Sequence, residues 1–241
     1  MSFIISAIKI IFLLGFLIFI HESGHFCVAK LCRIKVNEFS IGFGPVLWKK
    51  QGKVTRYALR AIPLGGFVSL EGEEEPSEEE GAFNKASIWK RILIVAAGGT
   101  VNIIFALVLF WFLSAHYVGP KNAFENVGIY LKITWNGIVE LFTGKVDLDQ
   151  MAGPVGISNA VAQTSSIADF IYILSAISLS IGVTNLLPFP PLDGGKIVLL
   201  IIEKIIRRPL NQKFELALQS VGLLLLIALS IVVTYNDILK L

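Results

Sequence analysis

Residues 4–20 are apolar except for Lys9 and two serine or glycine positions, and they run straight into His21-Glu22-Ser23-Gly24-His25. A membrane-crossing helix needs roughly 20 mostly apolar residues, so a first span over residues 3–28 is expected. The motif at its end is H-E-x-x-H, which on a helix sets two imidazoles on one face with a carboxylate beside them. A polar hydrolytic pattern at the end of a membrane helix points to a peptide bond being cut by water inside or at the edge of a bilayer. Three further segments, 92–118, 167–187 and 216–234, are also long and apolar enough to span, in a chain of 241 residues that is 54% hydrophobic. The expected fold class is an α-helical polytopic membrane protein with four transmembrane helices, packed through small and apolar side chains.

The first segment does not read as a cleaved signal peptide. Its only basic residue, Lys9, lies inside the apolar core, and no small-residue cleavage site precedes His21. The two cysteines, Cys27 and Cys32, lack C-x-x-C spacing and read as free thiols.

Basic residues set the orientation. Residues 27–91 hold eleven Lys and Arg, residues 188–215 hold five, and residues 119–166 only three. The positive-inside rule then puts the first and third connections in the cytoplasm and both termini outside. The basic residues need no nucleic-acid partner.

Between the first two spans the texture changes. Val36-Asn37-Glu38-Phe39-Ser40-Ile41-Gly42-Phe43-Gly44, Val54-Thr55-Arg56-Tyr57-Ala58-Leu59-Arg60 and Gly65-Gly66-Phe67-Val68-Ser69-Leu70 are β-rich pieces separated by Gly and Pro. They predict a small membrane-associated hairpin or sheet over about residues 36–70, on the cytoplasmic side. Two readings stay open: a sheet that caps that face, or a strand edge that pairs with an extended substrate. Residues 71–80 form an acidic run expected to be solvated. Residues 124–142 mix apolar and polar positions without a full span and predict an interfacial amphipathic helix.

A catalytic zinc takes three protein ligands and keeps one position open, and a carboxylate beside its water can take a proton. His21 and His25 have the geometry of two ligands, with Glu22 placed to reach a metal-bound water; the alternative is two hydrogen-bonded core histidines. His116 and Asp169 lie at the wrong ends of their spans for the third. Asp193, in Asn185-Leu186-Leu187-Pro188-Phe189-Pro190-Pro191-Leu192-Asp193-Gly194-Gly195, falls at the level of the histidines, just past a proline-stopped span. A charge at that depth is costly and normally functional, although a plain helix N-cap is the alternative.

Together the two motifs resemble the site-2 protease family of intramembrane zinc metalloproteases. Phe39-Ser40-Ile41-Gly42-Phe43-Gly44, Ile62-Pro63-Leu64-Gly65-Gly66-Phe67-Val68, Ala82-Phe83-Asn84, Ala96-Ala97-Gly98-Gly99 through Asn102, and Gly153-Pro154-Val155-Gly156-Ile157 are similar to the bacterial branch that cleaves anti-sigma factors and remnant signal peptides. The resemblance implies a zinc (Zn2+) cofactor held by His21, His25 and Asp193, with Glu22 as general base. It implies that Asn185 holds substrate backbone and that the hairpin at Gly65, Gly66, Phe67 and Val68 docks substrate as an added strand. Single-span membrane proteins or signal peptides are the implied substrates, cut within or near the transmembrane segment in a bacterial cell membrane, with the active site toward the cytoplasm.

The chain departs from that branch between spans two and three. About fifty residues there leave no room for its usual PDZ domain, so residues 1–241 are expected to form one metalloprotease domain. Gly99 also stands where relatives often have Pro. Two other classes compete: a zinc-binding adaptor without activity, which has no need of Glu22, and a metal transporter, which would want polar positions along the middle spans.

Overall fold

The computed structural model describes residues 2–144 and 153–240; the single-domain expectation for residues 1–241 also covers positions outside these. The elements run α1 (Ser2–Leu31), β1 (Val36–Gln51), β2 (Arg56–Leu70), a short 3-10 turn (Phe83–Lys85), α2 (Ile88–Val118), α3 (Pro120–Phe142), α4 (Pro154–Ala162), α5 (Ile167–Asn185), α6 (Asp193–Ile206) and α7 (Gln212–Leu239). Four helices, Ile4–Leu31, Ile88–Val118, Ile167–Asn185 and Gln212–Leu239, are long and apolar enough to cross a membrane. The chain is a multi-pass, mostly helical membrane protein with a small sheet, as the apolar runs predict.

It divides into two compact units. The first comprises Ile11–Ile103 and Ser180–Gly222. Here α1 ends because Arg33 turns left-handed, at φ 62°, and Ile34 N–H returns to the Ala29 carbonyl at 2.9 Å. That closing bond satisfies a carbonyl the helix end would otherwise orphan. It also turns Ile34 into a buried cluster with Ala29, Val36, Leu70, Phe83, Ile94, Val95 and Leu200. At Gly24 helix α1 touches α2, for a Cβ there would lie 2.6 Å from the Ala97 carbonyl oxygen. Gly99 and Gly182 let α2 meet α5 in the same way, each Cβ falling within 2.8 Å of the other's carbonyl oxygen. Close backbone approach over small residues is how membrane helices gain packing energy without a hydrophobic drive.

The three expected β pieces are two long strands. β1 pairs antiparallel with β2, from Val36↔Leu70 through Ile41↔Gly66, and again from Val46↔Arg60 to Gln51↔Arg56. The strand changes partner at Gly42 and Gly44, which take positive φ of 89° and 78°. A Cβ at Gly42 would lie 2.9 Å from both the Arg60 and Ile62 carbonyl oxygens. Residues 38–41 are paired on both sides, since Glu38↔Arg56 through Ile41↔Leu59 also pair, with both numbers rising together. Residues 66–70 pair on one side only among the described residues. Buried Glu38 anchors this sheet: its carboxylate accepts from Arg60 Nη2 at 2.7 Å and from Arg56.

Two expectations are modified. The acidic run is not simply solvated: Glu73 pairs with Lys196, Glu79 with Lys35 and Glu78 with Lys85. Helix α6 went unforeseen in the segment read only as a basic connection. It is held by buried Glu203, which accepts from Arg91 Nη1 at 2.8 Å and from Leu210 N–H at 3.0 Å.

The second unit comprises Met1–Ile10, Ile104–Leu179 and Leu223–Leu241. The amphipathic helix expected from residue 124 starts earlier, at Pro120, because Gly119 breaks the chain with φ 83° and proline suits a first helical position. It doubles back along α2: Asn126 Nδ2 donates to Ser114 Oγ at 2.8 Å, and Tyr130 stacks on Phe110 at 4.3 Å. Lys9, the charge inside the first apolar run, donates to the Thr164 carbonyl at 2.9 Å and to Thr164 Oγ1 at 3.0 Å. Asp237 accepts from Gly156 N–H at 2.8 Å, closing the start of α4.

Candidate metal centre

His21 and His25 stand one turn apart on α1, so their rings share a face. Asp193 is the first residue of α6, after Leu192 in extended conformation. Gly194 and Gly195 pack that helix start onto the preceding loop: their Cβ atoms would lie 2.2 Å from the Leu187 carbonyl oxygen and 2.7 Å from Pro190 N. The Asp193 carboxylate is thereby turned to the imidazoles. Its Oδ2 lies 3.3 Å from His21 Nε2 and 3.4 Å from His25 Nε2, and the two Nε2 atoms are 3.2 Å apart. The plain N-cap alternative does not describe this carboxylate.

The triangle has a definite chemical meaning. Ligand bonds of about 2.0–2.1 Å from N and O to a tetrahedral zinc imply ligand–ligand edges of about 3.3–3.4 Å. The three observed edges have that length. Among the described residues, His21, His25 and Asp193 form the group of His, Cys, Asp or Glu side chains whose ligand atoms could hold one ion. Buried Asp193 Oδ2 faces the two Nε2 atoms and makes no other polar contact among the described residues, an arrangement that a cation between the three atoms would complete. The donor set fits zinc.

The outer nitrogens of the rings face α2. His25 Nδ1 lies 2.8 Å from the Ile94 carbonyl oxygen, and His21 Nδ1 lies 3.4 Å from Asn102 Nδ2. Gly98, between them, lies against both rings: a Cβ there would be 2.3 Å from His25 Nε2 and 2.8 Å from His21 Nε2.

The site opens into a cavity of about 280 Å³ lined by the two histidines, Asp193, Glu22, Gly66, Val68 and Lys196, among others including Phe67 and Glu73. Glu22 packs on the strand, its Cγ 3.0 Å from where a Gly66 Cβ would be. Gly65 and Asn185 are not among the lining residues. Gly65 is covered by the Phe43 ring, which a Cβ would meet at 1.8 Å. Asn185 donates from Nδ2 to the Ile181 carbonyl at 3.0 Å, at the end of α5.

Residues 9–229 match the sequence profile of peptidase family M50. The chain belongs to peptidase family M50. Three bacterial relatives, each provisionally named a zinc metalloprotease, align along most of its length. The Fusobacterium nucleatum protein is 28% identical over 349 positions, covering 100% of this chain and 99% of the relative. The Clostridium acetobutylicum protein is 29% identical over 93% of this chain and 94% of its own length. The Clostridium perfringens protein is 30% identical over 92% and 95%. The Fusobacterium alignment needs 349 positions for a chain of 241, so at least 108 positions of it (349 minus 241) have no counterpart here. This M50 enzyme is a zinc-dependent metalloprotease of the site-2 type, seated in a membrane.

Sequence reasoning passed over the Ile94 carbonyl and Lys196, saw Gly98 and Asn102 only within a motif, and saw Glu73 only within the acidic run. A signal was present: Ile94, Gly98 and Asn102 recur at every fourth residue, the spacing of His21 and His25, so they form one face of α2.

Proposed function

We propose that this enzyme hydrolyses a peptide bond within or near the transmembrane segment of single-span membrane proteins, of the anti-sigma-factor or remnant-signal-peptide type. In this reading His21, His25 and Asp193 hold the metal. What supports it above all is that one cavity collects the ligand atoms, Glu22 and the one-sided edge of β2. Zinc held by His21, His25 and Asp193 would supply a Lewis acid and would lower the pKa of a water. Glu22 does the proton work: its carboxylate takes the proton of the attacking water and hands it to the leaving amine nitrogen.

A helical substrate hides its peptide groups in i→i−4 hydrogen bonds, so its segment must be unwound before it is cut. Residues 66–70 offer main-chain groups to an extended chain, and the contact of Gly66 with Glu22 sets such a chain beside the proton acceptor. Gly65 lets the Phe43 ring cover the start of this edge. Asn185, with Nδ2 turned to its own helix, has Oδ1 left to accept from a substrate N–H. The eleven basic residues of 27–91 support a site on the cytoplasmic side of a bacterial cell membrane, with both termini outside.

The test is cleavage of a panel of single-span segments by the purified enzyme. Chelation to below one zinc per ten chains is expected to cut the rate about tenfold or more, and stoichiometric zinc to restore it. Cleavage that survives full zinc removal would sink the reading. The docking edge has its own test. Val68→Pro removes a main-chain donor and is expected to slow cleavage of a helical segment about tenfold, the worth of one hydrogen bond of about 1.4 kcal/mol, with zinc content unchanged. An unchanged rate would mean that substrate does not dock on this strand.

A further inference from the structure

We infer that Asn102 is a positioning residue for the metal centre: its buried amide, by accepting from His21 Nδ1–H, keeps the lone pair of His21 Nε2 turned toward the metal. The inference rests on the reading of His21, His25 and Asp193 as the zinc ligands.

Each ligating imidazole has a second nitrogen, and what that nitrogen meets decides which tautomer is present. For His25 the answer is fixed, because its Nδ1 faces the Ile94 carbonyl oxygen at 2.8 Å. A carbonyl only accepts, so Nδ1 carries the hydrogen and Nε2 is bare. His21 faces the Asn102 side-chain amide instead, with Nδ2 set 3.4 Å from its Nδ1; the nitrogen and oxygen ends of an amide have equal shape and exchange by a half-turn of the group, so either end can meet the ring. The donating end toward Nδ1 would require the hydrogen on Nε2, where it would block the metal. The accepting end requires it on Nδ1 and frees Nε2. Only the second arrangement is compatible with the ligand triangle.

The placement is specific. Asn102 is completely buried inside a helix apolar enough to cross a membrane, where an amide is costly unless it bonds. It sits two turns after Ile94 and one turn after Gly98, so a single face of α2 addresses both outer nitrogens and leaves room between them for the rings. A leucine of similar size would fill the space at position 102 without accepting a hydrogen bond.

The experiment compares zinc affinity, by competition with a chromogenic chelator, and the visible spectrum of the cobalt-loaded protein, in wild type, Asn102→Leu and Asn102→Asp. Asn102→Leu is expected to weaken zinc binding about 10- to 100-fold and to alter the cobalt bands. Asn102→Asp keeps an acceptor toward Nδ1 and is expected to stay within a few-fold of wild type. Wild-type affinity in the leucine variant overturns the inference. So does an aspartate variant that folds yet loses as much affinity as the leucine variant, since the position would then matter only for packing. If Asn102→Leu does not fold, the aspartate variant decides alone: a tenfold loss overturns the inference and retention carries it. Failure of wild type to bind zinc, or binding that survives His21→Ala, would instead remove the metal-centre reading beneath it.

Discussion

Glu22→Gln is expected to leave zinc bound and to lower cleavage by about 10²- to 10⁴-fold, the range that a positioned proton acceptor contributes. The glutamine has the size and shape of the glutamate, so its packing on Gly66 survives. Its amide accepts no proton at neutral pH, so the transfer from water to leaving nitrogen is lost. The metal is expected to be spared because the group proposed to hold it is His21, His25 and Asp193, without Glu22. Zinc per chain and the cleavage rate of a single-span segment, measured on one preparation, check both halves. Cleavage at the wild-type rate would remove Glu22 from the chemistry. Joint loss of zinc and cleavage would make it a structural partner of the site.

How far the site was legible follows from what a sequence can carry. The His21–His25 spacing is a helical period, so its geometry can be read directly. Asp193 is legible because a lone carboxylate beside a proline-stopped span is expensive. The α2 contribution is harder to see. The Ile94 partner is a backbone carbonyl, which every residue has, and the contribution of Gly98 is the absence of a side chain. Both depend on how α1 and α2 are set against each other, which the close Gly24–Ala97 approach helps to fix. Among the elements, four spans stand out by hydropathy, whereas α6 hid in a connection read for its charge. Its apolar residues at 197, 200 and 201 recur at helical spacing, but the helix is short and follows three prolines. The sheet was legible as β-rich pieces, yet its doubling at Gly42 and Gly44 was not. Positive-φ glycines inside a strand look like the turns that end one.

Gly98→Ala is expected to abolish the metal centre while leaving the helix intact. In a helix interior, alanine is favoured over glycine by roughly 1 kcal/mol, so secondary structure gives no reason for loss of fold. The added methyl is the difficulty: it would stand 2.3 Å from His25 Nε2 and 2.8 Å from His21 Nε2, both far inside contact distance. These are the atoms proposed to hold the metal. Either the rings swing away or α1 and α2 separate, and separation would open the Gly24–Ala97 contact. Metal sites keep their bond lengths within about 0.2 Å, and a misplacement of about 1 Å costs about a hundredfold in rate. The expected result is cleavage below about one per cent of wild type, with zinc affinity reduced about a hundredfold or more and the zinc-free melting temperature essentially unchanged. Gly137→Ala on α3, where a Cβ meets nothing within 4 Å, is the matched control and is expected to change none of the three. A Gly98→Ala variant that binds zinc as tightly as wild type would mean that the ion is not held at this triangle, because no ring position keeps both nitrogens in place beside that methyl.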